Sequence, residues 1–178
     1  MANQTISCPL PSNLNPLSPN GFQFNITKLP DLTFFAQQVN LPGLTFGDPM
    51  QANPFASAAI PGDHITYDTL NVQYIIDSEL KNYLGIYNWL IALGFPQTYT
   101  QYTNYQSQQT ANFYSELAKN YSDAVLQILT PNNGTAASIQ FIDVFPVALE
   151  SMIFNSTNTD VQYLVGSATF RYSYYKFL

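Results

Sequence analysis

Residues 70–93 read Leu70-Asn71-Val72-Gln73-Tyr74-Ile75-Ile76-Asp77-Ser78-Glu79-Leu80, then Lys81-Asn82-Tyr83-Leu84-Gly85-Ile86-Tyr87-Asn88-Trp89-Leu90-Ile91-Ala92-Leu93. In the first half Leu70, Val72, Tyr74 and Ile76 alternate with Asn71, Gln73 and Ile75. That period of two predicts a strand with one buried face, from about Ile65 to Ile76. In the second half the spacing changes, and Leu80, Tyr83, Leu84, Tyr87, Leu90 and Ile91 recur at three and four. This predicts a helix over Ser78–Leu93, capped by Asp77, with Glu79 in its first turn and Gly94 and Pro96 at its end. Trp89 lies beside the stripe and reads as an anchor of the helix.

Working outward from this unit, the rest of the chain is strand-like. Phe22, Phe24 and Ile26 alternate with Gln23, Asn25 and Thr27, and after the turn at Leu29-Pro30-Asp31 the stretch Thr33–Val39 reads as a returning strand of a hairpin, ended by Leu41-Pro42-Gly43. Between Phe46 and Gly62, Pro49, Pro54 and Pro61 resist long regular structure, so this is read as an outward loop in which Phe55–Ile60 forms a short edge strand. Residues 97–121 are rich in Tyr, Gln, Thr and Asn and read as a polar insertion, with helical composition at Phe113–Lys119. Ala124–Thr130 and Ser138–Val144 flank Pro131-Asn132-Asn133-Gly134, a hairpin loop whose glycine suits positive φ. Met152–Asn155 reads as a short strand, and Leu164, Ala168, Phe170, Tyr172 and Tyr174 mark a long last strand ending near Leu178. The expected fold is mainly β, a barrel or sandwich with one flanking α-helix, in a single domain over residues 22–178. Residues 1–21, with Pro9, Pro11, Pro16 and Pro19, read as an extended N-terminal arm.

Composition narrows the function. Apolar residues make up 46% of the 178, but charged residues only 9%, against about 25% in typical soluble proteins. A surface poor in charge and rich in tyrosine and amides suits one that neighbouring chains will cover. Eleven acids outweigh five bases, a net charge of -6, and Lys28, Lys81, Lys119, Arg171 and Lys176 are scattered. Gripping nucleic acid requires clustered bases that displace counterions, so such binding is disfavoured. Cys8 and His64 are the sole residues of their kinds, which rules out an intrachain disulfide and a multi-histidine metal site.

No cofactor is expected. Asp63 with Asp68, and Asp77 with Glu79, are explained by turns and caps rather than by a catalytic pair, so the chain is read as non-enzymatic. Asn-x-Ser/Thr sequences begin at Asn3, Asn25, Asn120, Asn133 and Asn155, but the start Met1-Ala2-Asn3-Gln4-Thr5 lacks a secretory signal and no run is long enough to span a membrane. A cytoplasmic origin and no membrane partner are expected. The candidates for contacts between subunits are Pro49, Phe55 and Ile60 in the outward loop and Tyr99, Tyr102 and Tyr105 in the polar insertion, tyrosine being enriched at interfaces.

The order of segments resembles the tail tube family of contractile-tailed bacteriophages, including tube-like proteins that join tube to baseplate. The resemblance is carried by Asn20-Gly21-Phe22-Gln23-Phe24-Asn25-Ile26, by Phe34–Gly43, and by Pro61-Gly62-Asp63 before Tyr67-Asp68-Thr69-Leu70. It continues through Ile76–Tyr83 into Ile86–Leu90, through Ser122–Leu126 to Phe145-Pro146, and through Asp160–Tyr163 into the closing strand. The resemblance implies a structural virion protein: a small β-barrel with a helix, six copies per ring, and rings stacked around a lumen through which DNA passes unbound. It further implies sheath and baseplate proteins as partners and a place in the virion tail. The proline-rich arm and the insertion at 97–121 depart from plain tube subunits and raise a baseplate-proximal tube initiator as an alternative. A secretion-system (Hcp-like) ring protein and, from another class, a carbohydrate-binding β-sandwich are the remaining readings.

Overall fold

The computed structural model describes residues 17, 19–52, 54–108, 120–132, 134–157 and 163–178. Seven strands form the main sheet: β1 (Phe22–Ile26), β2 (Ala36–Val39), β7 (Leu70–Ile75), β8 (Ser122–Leu129), β9 (Thr135–Leu149), β10 (Val165–Arg171) and β11 (Tyr174–Phe177). Between β2 and β7 the chain makes a separate ribbon of β3 (Leu44–Phe46), β4 (Met50–Ala52), β5 (Ser57–Ala59) and β6 (Ile65–Tyr67). Three helices complete the described chain, α1 (Pro30–Phe35), α2 (Lys81–Gly94) and α3 (Tyr99–Gln108).

All pairings are antiparallel, in the order β1-β8-β9-β10-β7-β2 with β11 also on β9. The fifteen-residue β9 belongs to two layers. Its first part pairs with β8 and β11, whereas Phe145–Leu149 pair with β10. The chain bends between the two parts at Asp143, whose φ of 57° lies in the left-handed region. There Ser173 Oγ donates to Asp143 Oδ2 at 3.0 Å and Ser173 N donates to Ile142 O at 2.9 Å. The result is a sandwich of β1-β8-β9-β11 against β9-β10-β7-β2, not a closed barrel.

Alternation places Phe24 and Ile26, Leu70, Val72 and Tyr74, Ala124 and Leu126, Ile139 and Phe141, and Ala168 and Phe170 between the layers, all nearly inaccessible. Leu32 of α1 and Ile86 and Trp89 of α2 complete this core. Trp89 is fully buried and its Nε1 donates to Asn120 O at 3.1 Å, so it anchors the helix as expected.

Several elements differ from expectation. Residues 33–35 are helical because Pro30 occupies the first turn, where its missing N–H is harmless, and Asp31 favours the same N-terminus. β1 and β2 consequently form no hairpin with each other and pair with β8 and β7. The strand expected over 65–76 divides at Asp68-Thr69, β6 joining β3 in the ribbon and β7 joining the sandwich. The long last strand breaks at Tyr172-Ser173, where the chain crosses from one layer to the other. Met152–Asn155 forms no strand, and no described glycine has positive φ, Gly134 included. Within the polar insertion α3 is helical at Tyr99–Gln108, while Phe113–Lys119, like most of the N-terminal arm, lies outside the described residues.

The helix α2 also begins later than expected. Asp77 does not cap it, and the residue before Lys81 is Leu80 at φ 57°. Asn82, only 3% exposed, sets the start. Its Nδ2 donates to Ile75 O at 2.7 Å, and its Oδ1 accepts from Asp77 N at 3.3 Å and Tyr83 N at 2.8 Å, tying the end of β7 to the first turn. Burying Asn82 rotates the helix, so Ile86, Trp89 and Ala92 face the core. Leu80, Leu84 and Tyr87 of the expected stripe are 36%, 45% and 45% exposed.

A candidate assembly surface

The ribbon over residues 43–68 is a two-stranded arm with two ladders. Leu44, Thr45 and Phe46 face Tyr67, Thr66 and Ile65, and Met50, Gln51 and Ala52 face Ala59, Ala58 and Ser57. Asp68 N to Gly43 O, Gly47 N to His64 O, Gly62 N to Gly47 O and Ile60 N to Pro49 O continue the pairing between and beyond them. At the kink the two backbones approach so closely that a β-carbon on Gly62 would lie 2.5 Å from Gly47 O. Glycine is required there because only its missing side chain lets the ribbon bend.

At the root of the ribbon Tyr67 packs edge-on against Tyr172 and Tyr175 with centroids 5.8 Å apart in both pairs, and Tyr175 Oη donates to Pro42 O at 3.4 Å. Beyond the root, apolar side chains face solvent. Phe55 is 100% exposed, Met50 68% and Ile60 42%, and Leu44, Phe46 and Ile65 are exposed with them. These apolar side chains gain nothing from exposure to water.

Pro49, Phe55 and Ile60 thus lie on one ribbon, and Tyr99, Tyr102 and Tyr105 on one helix. The three tyrosines have different surroundings. Tyr99 is exposed and forms with Phe95 and Tyr102 an aromatic cluster at centroid distances of 5.6–6.3 Å. Tyr105 turns inward against the core, and burial pushes its phenol up to about 12. Lys28 Nζ lies 5.1 Å from the Trp89 ring centroid and 5.7 Å from that of Tyr105, and desolvation lowers its ammonium to about 8. This group fastens α3 to the body by cation–π attraction.

A further apolar surface went unread in the sequence: Ile153, Phe154 and Tyr163 are 80%, 74% and 77% exposed on the segment joining β9 to β10. Its apolar residues had suggested a strand, although they lack alternation. Among the described residues no group of three or more His, Cys, Asp or Glu side chains is placed to hold a metal ion, and no helix is long and apolar enough to cross a membrane.

The family model described as phage tail tube protein matches residues 5–178. The chain belongs to the phage tail tube protein family. This is a family of structural phage tail proteins, not of enzymes. A relative of this tail tube protein is the tail tube terminator protein of Enterobacteria phage T4, 28% identical over 150 residues, 81% of this chain and 77% of the relative. Among solved structures, a chain of the anti-feeding prophage baseplate superposes with a TM-score of 0.61 at 11% identity, covering 92% of this chain and 96% of that one. A chain of the anti-feeding prophage tube-terminating cap superposes with a TM-score of 0.56 at 12% identity over 100% of this chain and 99% of its own. At such identities these likenesses speak to the fold, and they agree on the tail-tube sandwich.

Proposed function

We propose that this tail tube protein is a tube terminator, a subunit of the ring that ends the tube of a contractile tail. The observation that carries the reading is the identity with the T4 tail tube terminator across four-fifths of the chain. Six copies close a ring around a lumen for DNA, and the ribbon over residues 43–68 reaches a neighbouring ring with Phe55, Met50 and Ile60. Tube, sheath and baseplate-side proteins are its partners in the virion, and assembly takes place in the host cytoplasm. The protein works by contact, with no catalytic step.

Negative-stain electron microscopy of the purified protein tests this. Single rings, or rings capping added tail tubes without further growth, are expected. Long self-stacked tubes would make the protein a tube-body subunit instead, and monomers at all concentrations would remove the ring.

A further inference from the structure

The chain holds two Asn-Gly sequences, Asn20-Gly21 and Asn133-Gly134, and the fold treats the N–H groups of the two glycines differently. Asn20 is exposed in the turn that leads into β1. Gly21 O accepts from Leu129 N at 2.9 Å, which ties that residue to β8. Among the described residues, however, neither the Gly21 N–H nor the Asn20 side chain has a hydrogen-bond partner. A β-carbon at position 21 would be crowded, 3.2 Å from Leu129 Cβ and 3.3 Å from Leu129 O, so packing calls for a glycine after Asn20. At the second sequence Gly134 N donates to Thr130 Oγ1 at 3.1 Å, and Gly134 O accepts from Thr130 N at 2.7 Å and from Thr130 Oγ1 at 3.1 Å. One glycine nitrogen can turn toward the preceding side chain, and the other is held.

We propose that Asn20-Gly21 is a site of spontaneous deamidation, a self-modification where the N-terminal segment joins the sandwich. The Gly21 nitrogen, giving its proton to solvent base, attacks Cγ of Asn20. The new N–C bond closes a cyclic succinimide, and the side-chain nitrogen takes up a proton and leaves as ammonia. Water then opens the ring at either carbonyl, giving aspartate or, where the chain now runs through the former side-chain carbonyl, isoaspartate. Nothing is oxidised or reduced, and water is the sole co-reactant. Glycine favours the closure because no β-carbon hinders the approaching nitrogen and its backbone turns at little cost. A hydrogen bond on that nitrogen opposes it, because the bond must break before the nitrogen can attack. Isoaspartate adds a methylene to the backbone and a carboxylate beside it, on the N-terminal side of Gly21. The Gly21 carbonyl stays on Leu129 and the ladder from Phe22 to Ile26 is untouched, so the change re-aims the preceding segment while β1 keeps its register.

Peptide mapping by mass spectrometry of the full-length protein, held folded at mildly alkaline pH, tests the assignment. Conversion at Asn20 should run about two- to tenfold faster than at Asn133, the advantage that one ordinary hydrogen bond supplies, and in urea the two rates should converge. Equal rates in the folded protein, faster conversion at Asn133, or an unchanged Asn20 overturns it, as does a difference that persists in full in urea. Thr130→Val removes the hydroxyl that holds Gly134 N and should bring Asn133 toward the Asn20 rate, and no acceleration overturns the hydrogen-bond account. A protein L-isoaspartyl methyltransferase with labelled S-adenosylmethionine then counts the isoaspartyl product. Aged parent should accept label and aged Asn20→Ala should lose most of it, whereas equal labelling of the two overturns the site. Ageing should leave the melting temperature unchanged, and a fall overturns the confinement of the change to the segment before Gly21.

Discussion

Gly166 of β10 stands directly opposite Tyr74 of β7, and a β-carbon at position 166 would lie 3.0 Å from Tyr74 Cζ and 3.1 Å from its hydroxyl oxygen. Tyr74 is fully buried, so its ring has nowhere to retreat. Gly166→Ala should destabilise the subunit by about 1–3 kcal/mol, the usual penalty for overfilling a packed core. Urea denaturation of the two proteins measures it, and an unchanged midpoint would show that the ring can yield.

The rotation of α2 set by Asn82 makes a paired prediction. Ile86 is inaccessible to solvent, so Ile86→Ala should cost about 2–5 kcal/mol through lost burial and a residual cavity. Leu84, 45% exposed, should lose under about 1 kcal/mol on the same change. Equal losses at the two positions would place the buried face where sequence periodicity alone had put it.

Tyr172 is partly buried, but its hydroxyl oxygen is shielded from solvent and has no hydrogen-bond partner among the described residues. Removing an unpaired buried hydroxyl relieves a desolvation penalty. Tyr172→Phe should therefore be neutral or stabilising by up to about 1 kcal/mol, read from thermal melts. A clear loss would reveal a partner for that oxygen.

Stability should pass through a maximum at moderately alkaline pH. Lys28 is held at about 8 in the folded chain, against about 10.4 when unfolded. Between those values the unfolded chain binds the extra proton, so stability rises with pH through that window and is lost as pH falls back toward 8. Burial pushes Tyr105 and Tyr172 up to about 12, and Tyr74 upward as well, so above about 10 the unfolded chain loses phenolic protons first and stability falls. Melting temperatures from pH 7 to 11.5 should rise and then drop, and Lys28→Met should flatten the rising limb. A monotonic profile in the parent would contradict the burial assigned to Lys28.

Shortening the ribbon by deleting residues 50–59 should leave the core intact, because the described side chains among them face solvent. Ring-to-ring or ring-to-tube contact should weaken in electron micrographs while the melting temperature changes by only a few degrees. Normal capping after the deletion would exclude the ribbon from that contact.

Where burial alone decides, the residues were legible. Phe24, Leu70, Val72, Tyr74, Phe141 and Phe170 alternate in the sequence and lie in the core. Phe55 and Ile60, in a stretch without periodicity, lie outside it. What periodicity could not supply was set by single polar or backbone contacts over long sequence distances. Asn82 reaches back to Ile75 and changes the phase of a helix. Asp143 meets Ser173, thirty residues on, at the bend of β9. Tyr105 resembles Tyr99 and Tyr102 in the sequence, and only the fold places it against the core under Lys28. The pairing of β1 with β8 rather than with β2 likewise joins segments a hundred residues apart, beyond the reach of any local pattern.

Because β9 supplies hydrogen bonds to both layers along one continuous backbone, neither layer has an independent melting unit. Opening one requires releasing the strand that holds the other, so the sandwich should behave as a single cooperative block. A pull on either layer would then be carried along one covalent strand rather than across a seam between two sheets.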